Sequence, residues 1–524
     1  MKTIKINSKL AQLKKCKLVY LLLLFSMAMA HAQSPGIYGE KTVGGTGNDF
    51  ANSVVQTNDG GFVVAGVTYS TDGDVTGQHG SGDFWVVKLS SQGILQWQNA
   101  LGGPATDFGW EIEKTADGGF VVVGFAAANG GDVTGNHGNA DVWVTKLNAN
   151  GLLQWQKSLG GSESDRGFSI QQTTDGGYIV AGHTRSNDGD VLGNHGGEDF
   201  WIVKLSSSGS IQWEKSLGGT LDESAFGVIQ SSDGGYIAVG TTFSNNGNVT
   251  GNHGSGDFWV VKMSDSGNLL WQRTYGGSNH DSANSIRQTS DGGYIVAGFT
   301  LSNDGDVSSN NGIYDFWVIK IEQNGTLQWQ KTFGGSNSDY VHDIQLTPDG
   351  GFVVTGETES NNGDVSGNHG LTDHWMARLN SVGELQWQKT LGGSDEEFGG
   401  VVQVTSDNGF VMAGTTYSSD GDVSQNSGNG DFWVVKLEQD PLAIEDFQIQ
   451  KIVLYPNPVS ELLHIEAQQD IVNINIFNLL GQELFKQTVD GAQATINMSG
   501  LSAGTYLINI TSNHGTRTYK IQKQ

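Results

Sequence analysis

Two short segments, D-F-W-I-V-K-L at residues 199–205 and I-Q-W at residues 211–213, decide the fold of this 524-residue chain. Both are rich in β-branched and aromatic residues and are separated by a short Ser/Gly turn, which predicts a pair of β-strands. The first tryptophan of the pair returns every 58 residues without insertion or deletion, and a fixed period of this size is typical of propellers, solenoids and repeat arrays. The series is Trp85, Trp143, Trp201, Trp259, Trp317, Trp375 and Trp433.

Two further strands precede this pair in every unit. In the third unit they are predicted at Gly167–Thr173 and Tyr178–Thr184, around an Asp-Gly-Gly turn whose glycine supplies the positive φ that the turn needs. A long loop, Arg185–Glu198, then leads to the strand at 199–205. Four strands per unit and seven units predict an all-β, seven-bladed β-propeller over residues 33–440.

The two ends of the repeat region predict how the ring closes. The last unit stops after its third strand, Asp431–Leu437, and has no fourth strand of its own. The segment Ile37–Val43 aligns with the fourth strand of the other units. One blade is therefore expected to combine both ends, which removes the open edges that a linear array would expose.

Residues 1–32 are predicted to be a signal peptide. Six lysines precede an apolar run at residues 18–28, and Ala30-His31-Ala32 provides a small-x-small cleavage site. The run is too short to span a membrane, and no transmembrane segment is expected elsewhere. The only cysteine, Cys16, lies inside this peptide, so disulfides and thiol chemistry are excluded for the mature protein.

The charge balance is strongly acidic. The formal net charge is −27, and loss of the signal lysines makes it more negative. Such a surface repels nucleic acid and anionic membranes, so a nucleic-acid partner is not expected. It suits a secreted protein and is compatible with cation binding.

The segment joining the third and fourth strands, F-W-V-V-K-L-x-x-x-G-x-L-Q-W, resembles the tryptophan-docking repeats of quinoprotein-type propellers. The resemblance covers residues 37–437 and implies that the outer-strand tryptophans pack against neighbouring blades. It implies no quinone chemistry here, because those enzymes usually have eight blades and this chain has no recognisable pyrroloquinoline site. The outer tryptophans are Trp97, Trp155, Trp213, Trp271, Trp329 and Trp387.

After a predicted linker at residues 441–451, the last part of the chain, 452–524, has a different pattern. It contains Y-P-N-P at 455–458, G-Q at 481–482 and G-T-Y at 504–506, in this order. These motifs resemble the C-terminal sorting domain of the type IX secretion system of Bacteroidetes. The resemblance implies a small immunoglobulin-like β-sandwich of about seven strands. It also implies two partners, the outer-membrane translocon and a sortase-like protease that removes the tail, leaving the protein released or anchored at the cell surface.

An acidic residue begins the first strand of every unit. First strands line the axial channel of a propeller, so a ring of carboxylates could hold a cation there. Asp also commonly accepts backbone N–H bonds in turns, and because a scaffold repeats what it needs, the structural role is favoured. The residues are Asp49, Asp107, Asp165, Glu223, Asp281, Asp339 and Glu397.

The long loop of most units reads N-D-G-D-V-x-G-N-H-G. Closely spaced carboxylates are hard ligands that suit Ca²⁺, so calcium is the one cofactor that the sequence suggests, with ordinary Asx turns as the alternative. The candidate ligands are Asp72, Asp74, Asp188, Asp190, Asp304, Asp306, Asp420 and Asp422. The loop histidines are expected to pin the loop by hydrogen bonds; they are His79, His137, His195, His253 and His369.

Departures from the repeat are the better guide to a ligand. Near the start of the first strand, Trp110, Phe168, Phe226 and His342 share one register, and Arg166 and Tyr340 share another. Aromatic residues with Arg and His at a channel mouth suit a carbohydrate or peptide ligand, whereas packing between blades is the competing explanation.

No catalytic motif is present: there is no nucleophile elbow, phosphate loop or zincin motif. Glu111 with Glu113, and Glu357 with Glu359, are candidate acid–base pairs. Three functions therefore stay open. The first is a secreted or cell-surface propeller that acts as a non-enzymatic binding module for a glycan or protein. The others are an extracellular hydrolase or lyase with a site at the channel mouth, and a structural surface-layer component.

Overall fold

A computed structural model of the protein describes residues 32–442, 452–478, 482–512 and 515–524. Every regular element in these ranges is a β-strand. The chain divides into two compact units, Met1–Leu442 and Ala443–Gln524. The predicted signal peptide, apart from Ala32, and most of the predicted linker lie outside the described residues.

The first unit consists of seven four-stranded antiparallel sheets, each with the first strand innermost. Strands are numbered in chain order from β1 (Ile37–Val43). Blade 1 contains β2 (Asp49–Gln56), β3 (Phe62–Thr68), β4 (Asp83–Leu89) and β5 (Leu95–Leu101). Blade 2 contains β6 (Asp107–Lys114), β7 (Phe120–Ala126), β8 (Asp141–Leu147) and β9 (Leu153–Leu159). Blade 3 contains β10 (Asp165–Gln172), β11 (Tyr178–Thr184), β12 (Asp199–Leu205) and β13 (Ile211–Leu217).

The remaining blades repeat this order. Blade 4 contains β14 (Glu223–Gln230), β15 (Tyr236–Thr242), β16 (Asp257–Met263) and β17 (Leu269–Tyr275). Blade 5 contains β18 (Asp281–Gln288), β19 (Tyr294–Thr300), β20 (Asp315–Ile321) and β21 (Leu327–Phe333). Blade 6 contains β22 (Asp339–Leu346), β23 (Phe352–Thr358), β24 (Asp373–Leu379) and β25 (Leu385–Leu391). Blade 7 contains β26 (Glu397–Val404), β27 (Gly409–Thr416) and β28 (Asp431–Gln439), with β1 as its outer strand.

The predicted seven-bladed propeller and its closure are confirmed. Strand β1 pairs antiparallel with β28, with Lys41 opposite Val434, so blade 7 joins both ends of the ring. In blade 3 the second and third strands have the predicted bounds, whereas β10 begins at Asp165 because this residue already pairs with Thr184.

The hydrophobic core lies between adjacent blades. Each third-strand tryptophan is almost completely buried. In six of the seven blades its ring packs against an aromatic ring of the preceding blade: Trp143 lies 4.6 Å from Phe84, and Trp85 lies 4.6 Å from Phe432, between ring centroids. Burial of a large apolar side chain contributes about 1.5–3 kcal/mol, so the repeated contacts account for a stable ring without disulfides.

Every first strand contains a β-bulge, and it is this bulge that shapes the channel. In β6 the register shifts between Gly109 and Glu111, so Trp110 has no partner on β7. Gly124 lies opposite the bulge, where an added Cβ would overlap the carbonyl oxygen of Phe108. A glycine occupies this place in every blade, and it allows the close approach of the two backbones.

The second unit is a small all-β domain. It consists of β29 (Val453–Tyr455), β30 (Leu462–Phe477), β31 (Glu483–Asn497), β32 (Gly504–Ser512) and β33 (Gly515–Lys523). These strands form one curled sheet in which β30 pairs with three neighbours, β29, β31 and β32. Strands β30 and β31 are long, and a register shift between Glu466 and Ile471 divides their pairing into shorter stretches. Because each long strand is continuous across the shift, the domain has five strands and not the expected seven or so.

Candidate functional site

The bulged first strands surround a cavity of about 860 Å³ on the propeller axis. Residues of all seven blades line it, mostly through the first strands β2, β6, β10, β14, β18, β22 and β26. The size lies within the range of small-molecule sites in proteins. Because a bulge places two successive side chains on the same side of a strand, the cavity wall includes residues that simple alternation would direct elsewhere.

One side of the cavity wall is aromatic. Trp110 lies 5.4 Å from Phe168, and Phe168 lies 5.1 Å from Phe226, between ring centroids. All three occupy the bulge position of blades 2, 3 and 4. The buried Nε1 of Trp110 has no hydrogen-bond partner in the part of the chain that the structure describes.

The same position is polar in blades 1, 5 and 6. Asn52 donates from Nδ2 to the Gly109 carbonyl at 2.7 Å, and Asn284 donates to the Val341 carbonyl at 2.6 Å. Each amide group therefore uses one N–H in a hydrogen bond to the neighbouring blade. At the bulge position the cavity thus has an aromatic arc, Trp110 with Phe168 and Phe226, opposite amide and imidazole groups. Further aromatic residues line it on the other blades: Phe50, Phe299 and Phe398.

His342 is the bulge residue of blade 6. Its Nε2 lies 3.4 Å from Oε2 of Glu357, which also accepts the Gly399 backbone N–H at 2.8 Å. Burial opposes ionisation of Glu357, but the contact with His342 and the bond from Gly399 outweigh it and lower the pKa of this carboxyl. An imidazole beside an ionised carboxylate can hold or move a proton at the cavity wall.

Charged residues lie deeper along the same strands. On blade 2, Glu111 accepts the Ile170 N–H at 2.7 Å and Glu113 accepts that of Gln172. Burial raises the pKa of Glu111 and raises the pKa of Glu113 to about 8. On blades 5 and 6, Arg287 donates to Oδ1 of Asp343 at 2.9 Å.

Four of the six predicted ligand-binding residues line the cavity: Trp110, Phe168, Phe226 and His342. Arg166 and Tyr340 do not. Arg166 lies over the ring of Phe125, 4.7 Å from its centroid, and Tyr340 packs against Phe299 and Tyr314 at 5.3 and 4.9 Å. Both residues are engaged in contacts within or between blades.

The sequence reasoning did not place Arg287 or Asp343 in a site, and it treated Glu111 and Glu113 only as an acid–base pair. The signal was available: the column of the repeat that contains Glu113 has Val, Gln, Ile or Arg in other units. A charged residue in a column of the repeat that is neutral in most units marks a position that the scaffold does not dictate.

The acidic residues that begin the first strands are structural. All seven are completely buried. Asp165 accepts the Gly161 N–H and the Ser186 hydroxyl, each at 2.8 Å, and also the Thr184 hydroxyl. Burial raises the pKa of Asp107 to about 7 and that of Asp339 to about 6. Their role in the turn before the first strand agrees with the expectation that they are scaffold residues.

The candidate calcium ligands make hydrogen bonds to the neighbouring turn. Asp188 Oδ1 accepts the Ser162 N–H at 2.7 Å, and Asp190 Oδ2 accepts that of Gly160 at 3.3 Å. In blade 4 the side-chain amide of Asn246 makes the equivalent bond, because its Oδ1 accepts the Thr220 N–H at 2.9 Å. Within the described residues, no group of three or more His, Cys, Asp or Glu side chains is arranged to hold a metal ion.

The loop histidines bind the aspartate that begins the third strand. In blade 3, Nδ1 of His195 lies 2.6 Å from Oδ2 of Asp199, which also accepts the His195 backbone N–H at 3.0 Å. The pattern recurs at His79, His137, His253 and His369. These histidines therefore fasten the long loop to its own blade.

Comparison with known families identifies the tail. Residues 453–524 match the family model described as the secretion system C-terminal sorting domain. The predicted type IX sorting domain is thus confirmed, and it marks the protein for secretion. The described residues contain no helix that is long and apolar enough to cross a bilayer.

Two relatives are similar in sequence. The regulatory protein FlaEY of Caulobacter vibrioides is 22% identical over 408 residues, which cover 70% of this chain and 42% of FlaEY. The ulvan lyase NLR42 of Nonlabens ulvanivorans is 32% identical over 79 residues, 15% of each protein. The chain spans less than half the length of these curated relatives.

Solved structures show distant likeness. PorZ, a surface component of the type IX secretion system of Porphyromonas gingivalis, has a TM-score of 0.38 at 11% identity, covering 92% of this chain and 60% of PorZ. The Pan2 WD40 domain of Neurospora crassa has a TM-score of 0.42 at 10% identity, covering 77% and 97%. Likeness at this level carries no inference about function.

Proposed function

We propose that the secreted propeller is a non-enzymatic binding module that takes an extracellular saccharide into its axial cavity. The observation that carries this proposal is the aromatic arc, Trp110 with Phe168 and Phe226, set opposite polar bulge residues in one cavity. Sugars have apolar ring faces that stack on aromatic side chains and hydroxyl groups that need hydrogen-bond partners. A cavity that combines aromatic rings with polar side chains meets both needs.

The polar groups suit hydroxyl ligands. Trp110 Nε1 is an unpartnered donor, whereas Asn52 and Asn284 have each given one donor to a neighbouring carbonyl. Sugar hydroxyls both donate and accept, so they can bond to the side-chain amides of Asn52 and Asn284.

A hydrolase is the second candidate, because His342 and Glu357 form an imidazole–carboxylate contact at the cavity wall. General acid–base catalysis of glycoside hydrolysis usually needs two carboxyl groups on opposite sides of the scissile bond. Glu111 and Glu113 lie on one strand, both accepting N–H groups of blade 3, and Glu359 is exposed outside the cavity. Glu357 and Asp343 line the cavity from blade 6, where each is already paired, Glu357 with His342 and Asp343 with Arg287. This arrangement favours binding over turnover.

The sorting domain requires a partner in the secretion machinery. We propose that a sortase-like protease removes the tail after export, so that the propeller is released or anchored at the outer surface. Comparing the mass of the cell-associated and the released protein with that of the full chain tests this step. Retention of residues 453–524 in both fractions would contradict removal of the tail.

The saccharide proposal is tested with the protein beginning at residue 33, incubated with a panel of extracellular polysaccharides and glycoproteins. Bound material and newly released fragments are both quantified, with calcium and with a chelator. Saccharide binding that Trp110→Ala weakens at least tenfold, without fragments, supports the proposal. Fragments that accumulate with time and disappear in His342→Ala would establish the hydrolase instead. Binding of glycoproteins that persists after removal of their glycans would point to a protein ligand and contradict the proposal.

A further inference from the structure

The outer tryptophans pack beneath a turn of the following blade. The turn between the third and fourth strands of blade 2 places Gly151 over Trp97 of blade 1, where an added Cβ would lie 2.8 Å from the indole ring. Four further glycines of such turns, each at positive φ, lie in the same way over the tryptophan of the preceding blade. They are Gly209, Gly267, Gly325 and Gly383, over Trp155, Trp213, Trp271 and Trp329.

Trp387, the outer tryptophan of blade 6, has no such turn above it. The third and fourth strands of blade 7 come from opposite ends of the repeat region, so no turn joins them. Trp387 is nevertheless 1% exposed, whereas the outer tryptophans of blades 1 to 5 are half-buried. Another part of the chain therefore covers it.

The segment 438–442, which we call the closing segment, takes the place of the missing turn. Asp440 is buried, and its Oδ1 accepts the Trp387 Nε1–H at 3.1 Å and the Leu442 backbone N–H at 3.0 Å. Leu442 packs against the hydrophobic cluster that contains Trp387. The closing segment thus covers the tryptophan and also binds its indole N–H.

The other oxygen of the same carboxylate meets a second departure from the repeat. In six blades the third strand carries a lysine that pairs with the aspartate of the first turn, as Lys204 does with Asp175 at 3.0 Å. Blade 6 has Arg378 at this position, completely buried. Arg378 donates from Nη2 to Asp349 and from Nε to Oδ2 of Asp440, both at 2.7 Å. The planar guanidinium, with its several donors, can bridge two carboxylates in this way.

The backbone of the closing segment is bound to both ends of the ring. The Glu438 N–H donates to the carbonyl of Gly36, directly before β1, at 2.9 Å. The Asp440 N–H donates to the carbonyl of Asn408, in the turn between β26 and β27, also at 2.9 Å. Contacts to β1, to blade 6 and to blade 7 therefore meet where the ring closes.

We infer that Asp440 is a latch that holds the propeller ring closed, and that the mature propeller keeps the chain at least as far as Leu442. Loss of Asp440 would leave the buried Arg378 and Trp387 each without an acceptor, and a buried charge without its partner is strongly destabilising. The position of the retained end rests on the tail removal proposed above. A protease acts on a segment that has opened locally, and the bonds of the closing segment oppose such opening.

Hydrogen–deuterium exchange, measured by mass spectrometry on the protein from residue 33, tests the latch. In Asp440→Ala, exchange in peptides from β1 and β28 is expected to rise by roughly tenfold or more, because the ring opens locally at its closure. Peptides from blade 3 are expected to exchange as in the wild type. Circular dichroism confirms that the variant is folded.

Two further variants sharpen this measurement. Arg378→Lys restores the residue of the other six blades and keeps a partner for Asp349, but it gives up the bond to Asp440. It is expected to raise exchange in the same peptides as Asp440→Ala. The matched control is Ser208→Ala, because Ser208 is exposed at the corresponding position of the blade 3 turn, and it is expected to change nothing. Wild-type exchange at the closure in both latch variants would overturn the inference, and so would an increase spread equally over all blades.

The mass of the cell-associated and released protein tests the retained end. A processed chain is expected to lack residues 453–524 and to end at residue 442 or later. A processed chain that ends before Leu442 would overturn the retained end and leave tail removal intact. Full-length protein in both fractions would overturn tail removal together with the retained end, whereas the latch would still be decided by the exchange measurement.

Discussion

Two sets of buried carboxylates in the propeller differ in what surrounds them. The first set begins the inner strand of every blade. Asp165, which represents it, accepts hydrogen bonds from the Gly161 N–H in the preceding turn and from the hydroxyls of Thr184 and Ser186 at the end of β11. The second set, Glu111 and Glu113, occurs in one blade, where neutral residues of other blades make equivalent bonds. A buried carboxylate that recurs in every blade therefore belongs to the scaffold. A carboxylate that occurs in one blade, where a neutral group could make the same hydrogen bonds, is free to serve a ligand.

The largest effect is expected from removing a repeated carboxylate. Asp165→Ala would leave the Gly161 N–H and the hydroxyls of Thr184 and Ser186 without their acceptor. We expect a loss of about 3 kcal/mol or more in the free energy of unfolding, measured by urea denaturation. Asp165→Asn keeps one acceptor oxygen and should lose clearly less. An Ala variant as stable as the wild type would show that the turn does not depend on this side chain.

Stability should fall as the pH rises above neutrality. Burial raises the pKa of Asp107 and Asp315 to about 7 and that of Glu113 to about 8. Unfolded carboxyls ionise near pH 4, so in the folded state these groups hold protons that the unfolded chain has lost, and the stabilisation disappears as the pH passes the folded pKa values. The melting temperature is therefore expected to decrease from pH 6.5 to 8.5.

The choice of this pH window avoids an opposing effect. Burial lowers the pKa values of His183 and His374 to about 4. These two groups therefore make the folded protein more stable as the pH rises, but only up to about pH 6.5, where histidine in the unfolded chain becomes neutral. Glu113→Gln removes one of the groups that titrate inside the window and should reduce the decrease. A melting temperature that rises between pH 6.5 and 8.5 would contradict the assignment.

A smaller change, of opposite sign, is expected from neutralising the second set. Glu111→Ser with Glu113→Gln keeps an acceptor for the Ile170 and Gln172 N–H groups and removes two buried charges. We expect the free energy of unfolding at pH 8 to rise by about 1 kcal/mol. Destabilisation at pH 8 would indicate that the scaffold needs the charges, and the contrast with Asp165 would fail.

The smallest effect concerns the long loops. Asp188→Asn places in blade 3 the amide that Asn246 already provides in blade 4, where it accepts the Thr220 N–H at 2.9 Å. The free energy of unfolding is expected to equal that of the wild type within the error of a urea denaturation measurement. Wild-type melting temperatures with calcium and with a chelator form the companion measurement. A rise with calcium that Asp188→Asn reduces would establish the loop as a calcium site.

Some elements could be predicted from sequence to the residue. Strands β11 and β12 begin and end where the sequence predicts, because each is a short run rich in β-branched and aromatic residues bounded by turn or loop residues. The aromatic residues Trp110, Phe168 and Phe226 also stood out, since they depart from the repeat in a shared register and line the cavity together. Arg166 shares that departure but lies on Phe125 instead, a contact between blades that no single repeat reveals.

The acidic pair could not be placed by the same reasoning. Strict alternation would put Trp110 and Ile112 on one face of β6 and Glu111 on the other. The bulge at Trp110 changes this: Trp110 and Glu111 both face the cavity, and Ile112 is 2% exposed, between blades. Its cause is a close approach of β7 at Gly124, which becomes visible only when the strands are paired.

The amino-acid sequence alone therefore determined the number of blades, the closure of the ring and the presence of a sorting domain, because each depends on a short motif or on a period along the chain. Only the tertiary structure decided which residues share the cavity. Cavity walls are formed by residues about 58 positions apart, brought together by the packing of successive blades and by the bulges in their inner strands. The alternation of side chains along one strand does not predict these contacts. The position of Glu111 and Glu113 in the cavity can therefore be recognised only in the closed ring.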